Sequence, residues 1–384
     1  MKKETLFSEA RTHILEKMRT LLQAGITRLP TERELANEVA ASYSTVRLVM
    51  AELEKQGYIR CIRRAGTFIQ PQADELLKRK LMIYIYPYVN DPDTHFGAYF
   101  VRELNQAASA RNYTTEVRQV HNHDEFIRDL FRIQNSVDAV AYLPHPRNIT
   151  MHQLGMLADF DSVPLVILDT DMGNIDINNI STDNYRGGMF AAHALLHAGR
   201  RRLLLLQTEP LTLQCRKRIR GFQDMLSPFG IEPCVINSEV FHGEDRLGKT
   251  CDQITRILHN GTRFDGIFCV SDAGATAVSQ ALIRNGITPG KEISLIGFDG
   301  LPVGRHSDPT LASIAQPVQE IAEELFVMIS NWKPQTFTSR LLQPKFQAGE
   351  TLGNSREITV SGKKRGNSLC GKTENLTILN LTTP

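Results

Sequence analysis

The chain has 384 residues, a formal net charge of +2 and 41% hydrophobic content, enough for one small and one large domain, each with its own core. Residues 1 to 80 carry 15 Lys and Arg against 10 Asp and Glu, residues 354 to 384 carry 5 against 2, and the stretch between carries 24 against 30, so a cationic head precedes an anionic body. No apolar run is long enough to span a bilayer, the charged start MKKETLFSEARTHILEKM is not an export signal, and Cys61, Cys215, Cys234, Cys251, Cys269 and Cys370 lack CxxC or Cys/His spacing; a soluble, reduced, cytoplasmic protein without metal, cofactor or membrane partner is expected.

In chain order, residues 8 to 24 place Ile14, Leu15, Met18, Leu21 and Leu22 on one helical face, with Gly25 as the stop. Thr31 followed by Glu34 has capping-box spacing and starts a second short helix, with Leu35 and Val39 on its buried side. Ser42 caps a third helix whose apolar stripe is Val46, Val49, Met50 and Leu53, leaving Ser44, Arg47, Leu48, Ala51 and Lys55 opposite. Two short apolar runs flank Arg63-Arg64-Ala65-Gly66 and predict a hairpin with a basic tip. Three helices and a hairpin make a winged helix-turn-helix, whose third helix has the dimensions to enter a major groove.

The stretches LPTERELA, SYSTVR, ELEKQGYIR and AGTF, spaced without a gap over about 40 residues, resemble the GntR family of bacterial transcription regulators. That resemblance implies that Arg33, Ser44, Thr45 and Arg47 contact phosphate or base edges and that Gly66 and Thr67 form the wing tip. Tyr43 and Ala65 stand where the family often has basic residues and Leu48 where a polar one is common, which implies redistributed base contacts with Arg63 and Arg64 compensating. The plainer alternatives are that Arg33 pairs with Glu34 or Glu38 and that Arg47 belongs to a solvated face.

Polar residues 72 to 80 are expected to link a DNA-binding domain, 1 to 71, to an effector and dimerisation domain, 81 to 353. From residue 81 short apolar strands alternate with helices in two series, separated by a gap near residues 175 to 200. This predicts an α/β body of two lobes, each a parallel sheet covered on both faces. Ligands in such folds meet the carboxyl ends of strands. There stand Asp169, Asp272 and Asp299, with Arg218 at the start of the helix RIRGF. Carboxylates and an arginine facing one cleft suit a polyhydroxylated molecule, whose hydroxyls both donate and accept. Alternatively, Asp169 and Asp299 cap helices or turns and Asp272 caps the helix beginning near Ala273. Residues 354 to 384 lack periodicity and are expected to form a disordered tail.

The segments STDNYRGGMFAAHALLHAGRRRL, RIRGF, FDGIFCVSDAGATAVSQALIRNGI, EISLIGFDG and DPTLASIAQP resemble, in order, the effector domain of the LacI and GalR family, which has the type I periplasmic-binding-protein fold. The resemblance covers residues 81 to 353. It implies a dimeric sensor that binds a sugar or similar small molecule between its lobes through Arg218, Asp299, Asp272, Asp169 and Gln316, with Phe96 stacking on the ligand. Phe96 in the lobe core is the alternative for that residue, and Trp332, the sole tryptophan, is expected to be structural. No GxxxxGK[ST], HExxH or GxSxG motif is present. The expectation is a non-enzymatic, sugar-responsive repressor of carbohydrate-use genes that binds an approximately inverted-repeat operator as a homodimer. A sugar-binding enzyme and a solute-binding protein without a transcriptional role are the rival readings.

Overall fold

The computed structural model describes residues 2–73, 77–87, 91, 93–144, 149–172, 175–208, 211–238, 240 and 245–353, so the expected tail lies outside the described residues. The head contains α1 (Lys2–Gln23), α2 (Glu32–Val39), α3 (Tyr43–Lys55) and a hairpin of β1 (Ile59–Ile62) and β2 (Gly66–Ile69). Local signals in the chain account for its boundaries. Gly25, at φ +70°, turns the chain just past α1. Thr31 and Glu34 form the reciprocal capping box: the Thr31 N–H donates to Glu34 Oε2 at 2.7 Å, and the Glu34 N–H to Thr31 Oγ1 at 3.3 Å. Ser42 Oγ accepts the Thr45 N–H at 3.1 Å and starts α3. Val46, Val49, Met50 and Leu53 of α3 meet Ala10, Ile14 and Met18 of α1 in one buried cluster.

The expected linker is not a free tether. Ala73 and Leu77 are buried in that same cluster, and the first body strand, β3 (Arg79–Ile85), already begins at Arg79. Arg79 pairs with Glu16 of α1, while Arg19 of α1 donates from Nε to the Leu77 carbonyl at 2.7 Å and lies 3.7 Å from Asp138. Apolar residues hidden in a polar stretch thus hold the junction against the head. Leu77→Ala should destabilise the head by roughly 2–5 kcal/mol through the cavity it leaves, seen as an earlier head transition in urea. A chain segment acting only as a spacer would show no change.

The body is two six-stranded sheets. The first lobe has the order β13-β7-β6-β5-β3-β4, all parallel. Its members after β3 are β4 (Tyr113–Gln119), β5 (Ala139–Leu143), β6 (Leu165–Leu168), β7 (Asn179–Thr182) and β13 (Ser339–Leu342). The second has the order β14-β12-β11-β10-β8-β9, built from β8 (Leu203–Gln207), β9 (Cys234–Asn237), β10 (Gly266–Cys269), β11 (Ser294–Asp299), β12 (Ala312–Ala315) and β14 (Lys345–Gln347). Only the β12–β14 pair in it is antiparallel. The apolar runs are explained by burial of both faces. In β3, Leu81, Ile83 and Ile85 enter one core, Met82 and Tyr84 the opposite one. In β8, Leu203 and Leu205 divide likewise from Leu204 and Leu206.

The helices that matter for the cleft are α4 (Phe96–Ser109), α7 (Asn184–His197), α8 (Leu213–Leu226), α10 (Asp272–Arg284) and α12 (Val318–Asn331); between them run α5 (His123–Ile133), α6 (Met151–Ala158), α9 (Arg246–His259) and the short α11 (Pro302–Arg305). The gap near residues 175 to 200 is not an empty boundary: it holds β7 of the first lobe and α7, which packs in the second. The chain crosses between lobes three times, after Thr182, after Ala315 and after Leu342. Consequently α12 belongs to the first lobe's core, although it follows almost all of the second in sequence. Trp332 caps the carboxyl end of α12 and lines a depression of about 310 Å³ on the first lobe with Phe160 and Phe337.

Candidate functional site

Strands β6 and β11, one from each lobe, finish at aspartates with left-handed backbone: Asp169 at φ 54° and Asp299 at φ 122°. Aspartate tolerates positive φ better than most residues, yet the second value is strained for any side chain. The groups around them converge on Arg218, buried in α8. Its Nε donates to Asn184 Oδ1 at 2.7 Å, and its Nη1 donates to the Val270 carbonyl at 2.6 Å and to Asp299 Oδ1 at 3.3 Å. The guanidinium carbon lies 3.7 Å from the centre of the Phe298 ring, a cation–π contact. Gln316 donates from Nε2 to Asp299 Oδ1 at 2.9 Å and accepts from Thr182 Oγ1 at 2.7 Å, which ties a strand end of the first lobe to the second. Neither aspartate caps a helix.

Arg218 is placed by two glycines. A Cβ on Gly188 of α7 would lie 2.0 Å from the Arg218 carbonyl oxygen, and one on Gly221 of α8 would lie 1.9 Å from that of Tyr185. The helices touch backbone to backbone, so the arginine side chain reaches past α7 to the strand ends at Val270 and Asp299.

Asp169 is the group with unused capacity. Its Oδ1 is buried without a hydrogen-bond partner, while its own carbonyl accepts from Gln214 Nε2 at 2.6 Å. Burial pushes its carboxyl up to about 7 from an ordinary 3.8; Arg218 opposes the rise and Asp299 adds to it. An acid whose folded-state pKa is raised contributes stability below its unfolded pKa and loses it as pH climbs through the folded value. Asp169→Asn should therefore gain on the wild type between about pH 4 and pH 7 and hold a constant lead above that window. Urea midpoints across a pH series measure it, and a flat difference would mean that the carboxyl is solvated.

Asp272 departs from the expected ligand contact and from the alternative cap. Ser271 caps α10 by accepting the Gly274 N–H at 3.2 Å. Asp272 instead accepts the Leu301 N–H at 2.7 Å on Oδ2 and the Ser313 hydroxyl at 2.6 Å on Oδ1, behind the turn that carries Asp299. Burial raises its pKa and the Asp299 charge raises it further, against those hydrogen bonds. Its oxygens thus hold one backbone N–H of that turn and one hydroxyl of β12. Phe96 begins α4, half-buried against the first lobe's core, edge-on to Phe100 at 5.6 Å. Thr182, Asn184 and Gln214 were not singled out in the sequence; only Asn184, the first residue after the Asp183 cap of α7, had a recognisable local signal. Lys217 pairs with Asp171 and, with Gln214, carries α8 across to the first lobe.

At the other end of the molecule, Ser44, Arg47, Leu48, Ala51 and Lys55 are all exposed on α3, as are Arg33, Arg63 and Arg64. Among the described residues, none of these four arginines pairs with a carboxylate, so Arg33 does not use Glu34 or Glu38, which bond to Thr31 and to His13 and Lys17. Ser44 and Thr45 hydroxyls each lie 2.8 Å from Ser42 Oγ. Arg64 at φ 67° and Gly66 at φ 115° turn the hairpin tip. Arg28 bridges to Phe68 and the Leu29 N–H donates to the Thr67 carbonyl at 3.0 Å, giving the wing a third edge.

Two sheets, parallel but for the β12–β14 edge pair and joined by three crossings, with polar strand ends meeting between them, define a bilobed binding module; the head defines a winged helix-turn-helix. The chain belongs to the periplasmic binding protein domain family, which matches residues 89–326, and its head matches the bacterial regulatory proteins of the gntR family over residues 9–69. Among characterised relatives, the chain is similar to the HTH-type transcriptional repressor PurR of Pasteurella multocida, 27% identical over 53% of this chain and 59% of that protein. It is also similar to the arabinose metabolism transcriptional repressor of Geobacillus stearothermophilus, 22% identical over 79% of this chain and 85% of that one. The match to PurR thus spans about three fifths of that relative's length. In fold, the chain is similar to the Escherichia coli transcriptional repressor ascG (TM-score 0.61, 17% identity, 72% of this chain and 100% of that one). A LacI family regulator from Enterococcus faecium with bound ribose has a TM-score of 0.59 and 18% identity, covering 71% of this chain and 98% of that one.

Proposed function

We propose that this protein is a cytoplasmic, non-enzymatic, ligand-responsive transcription regulator, a repressor of carbohydrate-use genes that binds double-stranded operator DNA as a homodimer. The small-molecule effector is a sugar held between the lobes by Arg218, Asp299, Gln316 and Asp169, with Phe96 on the first-lobe side and Asp272 supporting from behind. The observation that carries this reading is the pairing, in one chain, of an orphan carboxylate oxygen on Asp169 near a buried arginine with a head on which, among the described residues, the exposed Arg33, Arg47, Arg63 and Arg64 pair with no carboxylate. An acceptor that the protein leaves unmet suits a ligand hydroxyl. Free cations on a helix and wing suit phosphate.

Ligand closure would bias the lobes toward one of two arrangements and thereby change the spacing of two heads on an approximate inverted repeat. The test is migration of DNA from around its own gene. Wild-type protein should retard it, Arg47→Ala should not, and the affinity should fall steeply with salt as counterions are released. A panel of mono- and disaccharides screened by thermal shift should yield a stabilising member that also alters retardation. Absence of DNA retention at low salt would reject the reading.

A further inference from the structure

We infer that Leu48 is a specificity residue: it reads the C5-methyl group of a thymine in each half-site. The inference rests on the DNA reading proposed above and adds the identity of a base. Leu48 is 64% exposed, more than the other large apolar residues exposed in the head, Leu6, Ile26, Tyr43 and Ile62, at 44–48%. It takes no part in the head core. It is also not a stray surface residue, which would need no explanation: it sits in the middle of the outward face of α3, between Ser44 and Arg47 on one side and Ala51 on the other, with Lys55 beyond.

The rest of this face narrows the reading. At the start of α3 the Tyr43 hydroxyl bonds to Glu32, which raises its pKa, so a carboxylate already occupies the position nearest the first turn. Arg47 is the cation within the reading segment, and Ala51 is small enough for the helix backbone to approach the floor of a groove closely. Thymine's methyl is the one apolar group that the four ordinary bases present on the major-groove edge, and aliphatic side chains contact it. Among the described residues, Arg33, Arg47, Arg63 and Arg64 pair with no carboxylate; Arg47 adjoins Leu48 on α3 and the others lie on α2 and at the hairpin tip of the same head, a charge that matches a polyanion and opposes a second cationic head. The occupant of this apolar point is therefore DNA.

Fluorescence anisotropy on the retarded duplex tests this by replacing thymine with deoxyuridine, which removes the methyl and nothing else, one symmetry-related pair at a time. For wild-type protein one such pair should weaken binding by roughly tenfold, the loss of two buried methyl contacts. Leu48→Ala should bind the thymine duplex weaker by a similar factor and be indifferent to deoxyuridine. Equal wild-type affinity at every substituted position, or a Leu48→Ala protein that keeps the sensitivity, would overturn the inference while leaving DNA binding intact. A drop in oligomeric mass on Leu48→Ala with no change in the deoxyuridine response would place the residue in a subunit contact and overturn it too. Failure to retain any duplex would remove the DNA reading itself, and this inference with it.

Discussion

Arg218→Ala should cost the protein about 3–5 kcal/mol, the usual penalty for leaving a buried charge without its partner. Asp299 would lose the guanidinium from its Oδ1, to which Gln316 also donates, with Asp272 still close enough to repel it. The Asn184 side chain and the Val270 carbonyl would lose their donor as well. Arg218→Lys should recover only part of this, since an ammonium cannot span the three acceptors that the planar guanidinium reaches together. Arg220→Ala is the matched control two residues away. Arg220 pairs with Asp224 at 2.7 Å on the surface, its side chain 72% exposed, and its removal should cost under about 1 kcal/mol. Urea unfolding of the three variants measures the ranking. Similar losses for Arg218→Ala and Arg220→Ala would show that the cleft is wetter than its geometry indicates.

The second large effect is expected at Gly188→Ala. Its new methyl would fall 2.0 Å from the Arg218 carbonyl oxygen and 2.8 Å from the Phe222 nitrogen, both backbone atoms that move only if α7 and α8 separate. Overpacking of this kind costs around 3 kcal/mol or more, and here it also displaces the arginine. The expected outcome is a lowered unfolding midpoint together with loss of the thermal shift given by the effector. Gly155→Ala, in α6, provides the contrast. Nothing lies within 4 Å of its new Cβ, and an alanine in an exposed helix should stabilise by up to about 1 kcal/mol. If Gly188→Ala were as harmless as Gly155→Ala, the close approach of α7 and α8 would not be what places Arg218.

Both residues stand in segments, NYRGG and RIRGF, that were conspicuous in the sequence, and the reason is physical. Local rules leave local marks: Thr31 with Glu34, Ser42, and the helical spacing of Val46, Val49, Met50 and Leu53 set the head elements that the structure contains. Runs such as those of β3, β8 and β11 advertise strands buried on both faces. What stayed hidden depends on contacts distant in sequence. The strand β7 is short and ends in polar residues, so it resembles a loop until β6 and β13 flank it. Asp272 looks like a strand-end ligand until the Leu301 N–H and the Ser313 hydroxyl are seen to meet its oxygens. Ala73 and Leu77 are apolar residues in a polar stretch, too sparse to show a period, and only the buried head cluster they share with Ile59 and Ile69 reveals their packing.

The triple crossing also sets an order of construction. Val318, Ile321, Leu325 and Phe326 of α12 fill the first lobe's core beside Leu81, Val166 and Ile180. The ribosome supplies them only after the strands β8 to β12 of the other lobe have emerged. The first lobe thus waits, unfinished, through the synthesis of its neighbour, and its closure is a contact between distant parts of the chain, the kind that forms late and slowly. During that interval an apolar sheet face is open to water and to other nascent chains. Growing temperature and chaperone supply should therefore govern the yield of this protein more than the final stability of either lobe does.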